Sequence, residues 1–151
     1  MKSPTILPLL FAAALALSGC GDTDEPQPDA TPLELEVPSR FPQLPDFEDN
    51  PMTVEGVALG RKLFYDPILS RDSTQSCSSC HQQSVAFTDP ARFSKGIRGE
   101  VGTRNAMAII NLAWQEEDLF WDARSHSLEH QALIPIEDPL EMDADWSNIE
   151  A

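Results

Sequence analysis

The sequence is poor in basic residues, in histidine and in tyrosine. Ten Lys and Arg stand against 25 Asp and Glu, which gives a formal net charge of −15 at pH 7. Because nucleic acids attract proteins through phosphate contacts with Lys and Arg, this charge excludes direct nucleic-acid binding as the expected function. The sequence also lacks internal repeats and alternating apolar–polar stretches of strand length. The fold class expected from this pattern is all-α.

Long apolar runs are scarce as well. The main one covers residues 6–17, follows Lys2 and precedes small residues and Cys20. It is shorter than the roughly 20 apolar residues that a membrane-spanning helix needs. A basic residue, a short apolar run and small residues are typical of an export signal.

The end of this segment, residues 17–20, reads Leu-Ser-Gly-Cys. It resembles the cleavage box of bacterial lipoproteins, which implies a lipoprotein signal peptide at 1–19 and a diacylglyceryl group on Cys20. The next residue is Gly21, whereas Asp there would be the usual signal for inner-membrane retention. A periplasmic protein with a lipid anchor in the outer membrane is therefore expected. An ordinary secretory signal with a chance cysteine is the alternative.

An acidic, proline-rich stretch follows. Residues 21–50 carry nine acidic side chains, one basic side chain and six of the thirteen prolines. Proline fixes φ and removes a hydrogen-bond donor, so no long helix is expected here. We interpret residues 20–50 as a tether and residues 51–151 as the folded domain.

The two remaining cysteines form a motif with His81. Cys77, Cys80 and His81 make the pattern C-x-x-C-H, which is typical of covalent haem c attachment. Two thiols at this spacing add to the two vinyl groups of the porphyrin, and the adjacent imidazole binds the iron. The alternatives are a redox dithiol, a zinc site and a structural disulfide, and none of them accounts for all three residues.

Helical spacing and capping residues predict the elements of the domain. The expected elements are a helix over 54–65 capped by Thr53, a helical turn at Cys77–Cys80, an irregular loop over 82–102, a helix over 105–113, a helix from Ser125 or Ser127 to Leu133, an irregular stretch around Pro135 and Pro139, and a new helix from Asp143. The expected domain is cytochrome c-like, with few helices and long loops around one haem.

Several ordered phrases extend this interpretation. They are ALGRKLFYDP at 58–67, CSSCH at 77–81, GTRN at 102–105, FWDAR at 120–124, Gln131-Ala132 and Glu141-Met142. Together they resemble the N-terminal, peroxidatic domain of bacterial di-haem cytochrome c peroxidases and their methylamine-utilisation relatives. The resemblance covers about residues 54–142. It implies reduction of hydrogen peroxide to water with electrons from a small periplasmic donor protein, and it leaves a homodimer open.

The resemblance also implies residue roles. His81 matches the proximal ligand of the peroxide-binding haem, and Gln131 and Glu141 match the pair on its distal side. Trp121 matches a Trp between the two haems of the family. Asn105 matches a side chain that contributes to a calcium site.

The distal pair also makes chemical sense. A carboxylate can move a proton between the two oxygens of peroxide, and an amide can orient it by hydrogen bonds. Gln131 and Glu141 are ten positions apart, which a continuous helix would separate by about 15 Å. Pro135 and Pro139 lie between them and predict a turn that brings both side chains over one face of the haem.

Two departures from the family pattern stand out. Some members carry a removable distal His after the haem motif, but Ile97 occupies that position, and residues 82–125 contain no His. An open, high-spin haem that needs no activation is therefore expected. The second C-x-x-C-H domain of the family is also missing, which predicts a truncated chain or a partner that carries the other haem.

Three other functions remain open. A mono-haem electron carrier would use Met107 or Met142 as sixth ligand. His126 and His130 belong to an H-x-x-E-H pattern, which is typical of zinc peptidases but short enough to occur by chance. A non-catalytic haem or lipid-anchored binding module is the third alternative.

Overall fold

A computed structural model describes residues 30–115 and 118–149 of the chain. The expected signal peptide at 1–19 and the lipidation site at Cys20 lie outside the described residues. Among the helices within these ranges, none is long and apolar enough to cross a membrane.

Short helices and loops make up the described part of the chain. The α-helices are α1 (Val54–Tyr65), α2 (Cys77–Cys80), α3 (Leu128–Glu137) and α4 (Trp146–Ile149), and the 3-10 helices are Pro67–Leu69, Gln83–Val85 and Leu112–Trp114. Strand-like pairing over the described ranges is limited to isolated bridges such as Gln82 with Thr88, and they form no sheet. The predicted helical, sheet-free fold class is confirmed.

Helix α1 begins and ends where its sequence predicts. The Thr53 hydroxyl accepts a hydrogen bond from the Gly56 amide at 3.0 Å, which satisfies one of the amides left open at a helix start. At the other end, Asp66 precedes Pro67 and leaves the helical conformation. No residue of α1 is buried by the described part of the chain, although Val57 and Leu59 are apolar.

The predicted helix over 105–113 is wrong. The chain there is irregular, and only a 3-10 turn forms at Leu112–Trp114, after Asn111 with φ +54°. The backbone pairs sideways instead, since the Ile109 amide donates to the Phe87 carbonyl at 3.2 Å. In a helix, the Ile109 amide would bond a carbonyl four residues earlier. Here it bonds the Phe87 carbonyl instead, so the backbone is satisfied without a helix.

Helix α3 runs further than the sequence suggested. Ser127 caps it by accepting from the His130 amide at 3.1 Å, but the helix continues to Glu137 and contains Pro135. The expectation that Pro135 lies in an irregular stretch is therefore wrong. Proline lacks the amide that would bond the Gln131 carbonyl, a loss of about 3 kcal/mol in a helix interior. Contacts beyond the helix offset part of it, because the Met142 amide donates to the Pro135 carbonyl at 3.1 Å.

Residues 30–50 form a strap that lies against the domain. The Thr31 amide and hydroxyl both donate to Glu55, at 2.9 and 2.8 Å. The Phe41 and Trp114 rings lie 5.1 Å apart, and the Asn50 amide group donates to the Glu129 carboxylate at 3.1 Å. Much of the segment that we interpret as a tether therefore contacts the domain.

The apolar core is small. Leu69, Ile136 and Met142 are buried together, and partly buried apolar side chains pack around them: Leu63, Cys77, Ala144, Trp146 and Ile149. This cluster joins α2, α3 and α4. It therefore fixes the haem-attachment motif relative to the segment that follows α3.

Candidate functional site

Helix α2 places the two thiols of the motif on one helical turn. Ser76 precedes the turn, and its amide donates to the Ser79 hydroxyl at 3.1 Å. The turn ends when the His81 amide donates to the Cys77 carbonyl at 3.0 Å. Cys77 and Cys80 are half-buried free thiols. Burial raises the pKa of both, and the nearby Asp89 and Glu141 carboxylates raise that of Cys80 further.

The His81 imidazole is oriented by the backbone of the loop that follows. Its Nδ1 lies 3.0 Å from the Phe87 carbonyl oxygen, within hydrogen-bond distance. Phe87 has φ +56°, and Ala86 before it has φ +61°. Such conformations are costly for non-glycine residues and cluster at functional sites. Since Nδ1 is occupied, Nε2 is the nitrogen that can bind iron, as metal-ligating histidines commonly do.

A cavity of about 400 Å³ lies beside this turn. Its volume falls within the range of about 300–1,000 Å³ that is usual for small-molecule and cofactor sites. Its lining includes most of the residues that the sequence singled out: Cys80, His81, Asn105, Met107, Trp121, Gln131 and Glu141. The structure thus gathers around one space residues that span more than 60 positions of sequence.

A turn after α3 returns Glu141 to the cavity that Gln131 lines. The Glu141 amide donates to the Asp138 carbonyl at 2.9 Å, and the chain then folds back along the end of α3. Glu141 is half-buried, and this burial raises the pKa of its carboxyl. Asp138 raises it further, whereas Arg124 lowers it.

Trp121 and Asn105 contact one another at the rim of the cavity. The indole N–H donates to the Asn105 backbone carbonyl at 2.8 Å, and Trp121 is 64% exposed. The Asn105 side-chain amide donates to the Ala91 carbonyl at 3.0 Å. Within residues 30–115 and 118–149, no three His, Cys, Asp or Glu cluster as metal ligands. The calcium role of Asn105 stays a prediction that requires further ligands.

The residues that would serve the alternative functions lie in different parts of the fold. Met107 lines the cavity, whereas Met142 is buried in the apolar core. His130 Nδ1 lies 2.9 Å from the hydroxyl of the fully buried Ser125, so this imidazole takes part in the start of α3. The described part of the chain places no third ligand near the H-x-x-E-H pattern.

Sequence reasoning assigned no role to the charged wall of the cavity. The Asp122 carboxylate forms an ion pair with Arg104 at 3.1 Å and accepts a hydrogen bond from Arg124 at 2.8 Å. The Arg124 guanidinium lies 3.5 Å above the centre of the Phe120 ring. The residues Phe120, Asp122 and Arg124 all belong to the FWDAR phrase. Hydrophobic periodicity does not predict, however, that Arg124 folds back onto Phe120 and Asp122.

The residues around the cavity fit a covalently attached haem. The paired thiols and His81 are the donor set that haem c requires. Three cationic side chains line the same space, Lys95, Arg104 and Arg124, and they suit the carboxylates of a porphyrin. The buried Ser94 hydroxyl also lines this space, and among the described residues it has no hydrogen-bond partner of good geometry.

These observations define a cytochrome c-like domain of helices and loops. The sequence profile described as di-haem cytochrome c peroxidase matches residues 54–151. The chain belongs to that family.

Individual relatives agree. The methylamine utilization protein MauG of Methylorubrum extorquens is 35% identical over 153 residues, an alignment that covers 94% of this chain and 43% of the relative. Cytochrome c551 peroxidase of Pseudomonas aeruginosa is 30% identical, over 94% of this chain and 40% of the relative.

A solved structure gives the same result. The crystal structure of a MauG-like protein associated with microbial copper homeostasis superposes with a TM-score of 0.68 and 39% identity, over 77% of this chain and 34% of that one. The chain therefore spans less than half the length of the relatives that it matches.

Proposed function

We propose that this chain is the peroxide-reacting haem portion of a periplasmic peroxidase. The observation that carries the proposal is the shared cavity. Gln131 and Glu141, the family's distal pair, line the same space as Cys80 and His81, the attachment residues. Family membership supports a haem oxidoreductase, and the geometry supports this assignment of roles.

Three residues would hold the haem. Cys77 and Cys80 would form its two thioether bonds, and His81 would bind the iron through Nε2. When bound, the haem iron supplies a site for peroxide and carries electrons to it. The contact between His81 Nδ1 and the Phe87 carbonyl at 3.0 Å would fix the ring plane and leave Nε2 facing the iron.

Glu141 would act as the acid–base group. Its carboxylate takes the proton of one peroxide oxygen and delivers it to the other, which leaves as water. A raised pKa suits this task, since a group whose pKa lies near the working pH can both accept and release a proton. Gln131 would orient the peroxide through its side-chain amide.

The complete reaction needs a source of electrons. Hydrogen peroxide, two electrons and two protons give two molecules of water. The electrons would come from a small periplasmic donor protein and pass through a second haem, with Trp121 on the path. Because the relatives are more than twice as long as this chain, that second haem would belong to a further domain or to a partner.

The remaining expectations stay part of the proposal. Residues 1–19 would be removed as a signal peptide, and Cys20 would carry the lipid that holds the haem domain (51–151) at the periplasmic face of the outer membrane. Asn105 would contribute to a calcium site shared with a second domain. A homodimer is compatible with this arrangement.

One observation favours a second candidate. Met107 lines the cavity, and a Met sixth ligand would make the protein a mono-haem electron carrier. A low-spin spectrum with His and Met ligation that peroxide leaves unchanged would establish the carrier.

The test compares Glu141→Gln with the haem-loaded wild-type chain. We expect a high-spin ferric spectrum in both proteins, and a rate constant for reaction with peroxide that is lower in the variant by about 100- to 10,000-fold. Glu137→Gln is the matched control, because it removes an exposed carboxylate at the end of α3. Equal rate constants in wild type and Glu141→Gln would contradict the proposed role.

A further inference from the structure

Asp143 lies two residues after Glu141 and binds two arginines at once. Its Oδ2 accepts from Arg71 Nη1 at 2.6 Å and from Arg98 Nε at 2.6 Å. Only 11% of the Asp143 side chain is exposed, whereas the two arginine side chains are 59% and 50% exposed. Asp143 also has φ +50°, a conformation that non-glycine residues rarely adopt.

The same segments are joined through their backbones. The Arg71 amide donates to the Met142 carbonyl at 3.0 Å, and the Ile97 amide donates to the Glu141 carbonyl at 2.8 Å. At Gly96, a Cβ would lie 2.0 Å from the Leu140 carbonyl oxygen, so only glycine permits this approach. The residues around Arg71 and Arg98 thus hold the backbone on both sides of Glu141. We name Arg71, Arg98 and Asp143 the arginine clamp.

Stability alone does not explain the arginine clamp. Ion pairs with exposed arginines contribute little to the free energy of unfolding. The positive φ of Asp143 also carries a conformational cost, and such strain persists where the surrounding structure imposes a particular geometry. The group nearest in sequence that needs a particular geometry is the Glu141 carboxyl in the cavity.

We propose that Asp143 is a positioning residue that, through Arg71 and Arg98, holds the Glu141 carboxyl in place over the cavity. The proposal rests on the proposed function of Glu141. A proton-transferring group works only within hydrogen-bond reach of the atoms that it serves, and a displacement of about 1 Å can cost about 100-fold in rate. The arginine clamp supplies that precision on a loop that has little regular structure of its own.

The arginines of the arginine clamp are not among the charged groups around the Glu141 carboxyl. Within residues 30–115 and 118–149, the charged or titratable groups that act on its carboxyl or line its cavity are Cys80, His81, Lys95, Arg104, Asp122, Arg124 and Asp138. Neither Arg71 nor Arg98 belongs to this set. Loss of the arginine clamp should therefore act on the position of Glu141 rather than directly on its charge.

The experiment uses the haem-loaded full chain with Asp143→Ala. We expect unchanged haem content and a rate constant for the peroxide reaction that is lower by about 10- to 100-fold. We also expect a displaced pH midpoint of that rate, because a misplaced carboxyl has a different environment. Amide hydrogen exchange at Ile97 should become faster, since its bond to the Glu141 carbonyl loses support.

Two further variants complete the test. Asp145→Ala removes an exposed carboxylate from the same segment, one that accepts from the Ser147 amide and hydroxyl at 3.0 and 2.8 Å, and it should match wild type. Arg98→Gln keeps the pair between Arg71 and Asp143 and should give an intermediate rate, which provides a milder test in case Asp143→Ala folds poorly.

The outcomes separate the two proposals. Wild-type rate constants and pH midpoints in Asp143→Ala and in Arg98→Gln, with a slow Glu141→Gln, would overturn the positioning role and leave the proposed function standing. A wild-type rate constant in Glu141→Gln would overturn both. Equal losses in Asp145→Ala and Asp143→Ala would also overturn the positioning role, because the effect would then follow charge removal alone.

Discussion

The two sides of the cavity are built in different ways. Residues 76–88, the attachment segment, contain contacts within the segment that orient the motif, such as His81 with Phe87 and Gln82 with Thr88, in addition to the bonds of Phe87 and Thr88 with Ile109 and Ala106. Residues 131–143, the carboxylate segment, depend on contacts with distant loops, and Asp143 lies 72 and 45 positions from its two arginines. The attachment geometry can therefore form locally, whereas the carboxylate geometry needs the completed fold.

The largest expected effect follows from breaking the attachment segment. In Cys77→Ala combined with Cys80→Ala, we expect no covalent haem, because both thioether bonds are lost. Haem staining after denaturing electrophoresis measures this directly. Cys20→Ser, which removes the thiol outside the motif, should retain full staining, and any covalent haem in the double variant would contradict the assignment.

The next effect concerns the pH dependence of the carboxylate segment. Burial raises the pKa of Glu141, and the carboxyl acts as a base only when it is deprotonated. The rate constant for the peroxide reaction should therefore rise with pH through a midpoint above the ordinary Glu value of about 4.3. Stopped-flow measurements across pH test this. Glu141→Gln should lose the transition, and a variant that kept it would show that another group titrates.

A smaller loss is expected at Gln131. Gln131→Met keeps the shape of the side chain but removes its hydrogen bonds, and the rate constant should fall by about 10- to 100-fold. Haem content and the optical spectrum should stay unchanged. A loss as large as that of Glu141→Gln would mean that the amide does more than orient the peroxide.

The smallest effects are expected at the caps of α1, which lies outside both sides of the cavity, and of α3, which carries Gln131. Thr53→Ala and Ser127→Ala each remove a cap, and each should lower the free energy of unfolding by about 1 kcal/mol in chemical denaturation. Only Ser127→Ala should also slow the peroxide reaction, because α3 carries Gln131. Ser84→Ala, at an exposed position, is the control, and equal rate losses in both cap variants would contradict a specific dependence of the reaction on α3.

The difference between local contacts and contacts with distant segments also explains which elements the sequence predicts correctly. The bounds of α1 and the turn at Cys77–Cys80 depend on caps and on a contiguous motif, and both predictions are confirmed. The helix predicted over 105–113 is wrong because its backbone groups bond residues near Phe87, which are distant in sequence.

The structure of the carboxylate segment was harder to predict from sequence patterns. The proline-based turn between Gln131 and Glu141 was expected, but it follows α3 instead of starting at Pro135. The arginine clamp left no sequence signal, since single Arg and Asp residues on loops are common and nothing local pairs them. Packing between segments that are distant in sequence decided both features.

The strap has a consequence for how far the haem domain can travel. Among the described residues its first contact is that of Thr31, so with Cys20 lipidated as proposed, residues 20–29 lie between the anchor and the described fold. Ten residues reach at most about 35 Å when fully extended. The domain would stay within a shallow layer above the lipid headgroups, and a soluble electron donor would have to enter that layer to transfer its electrons.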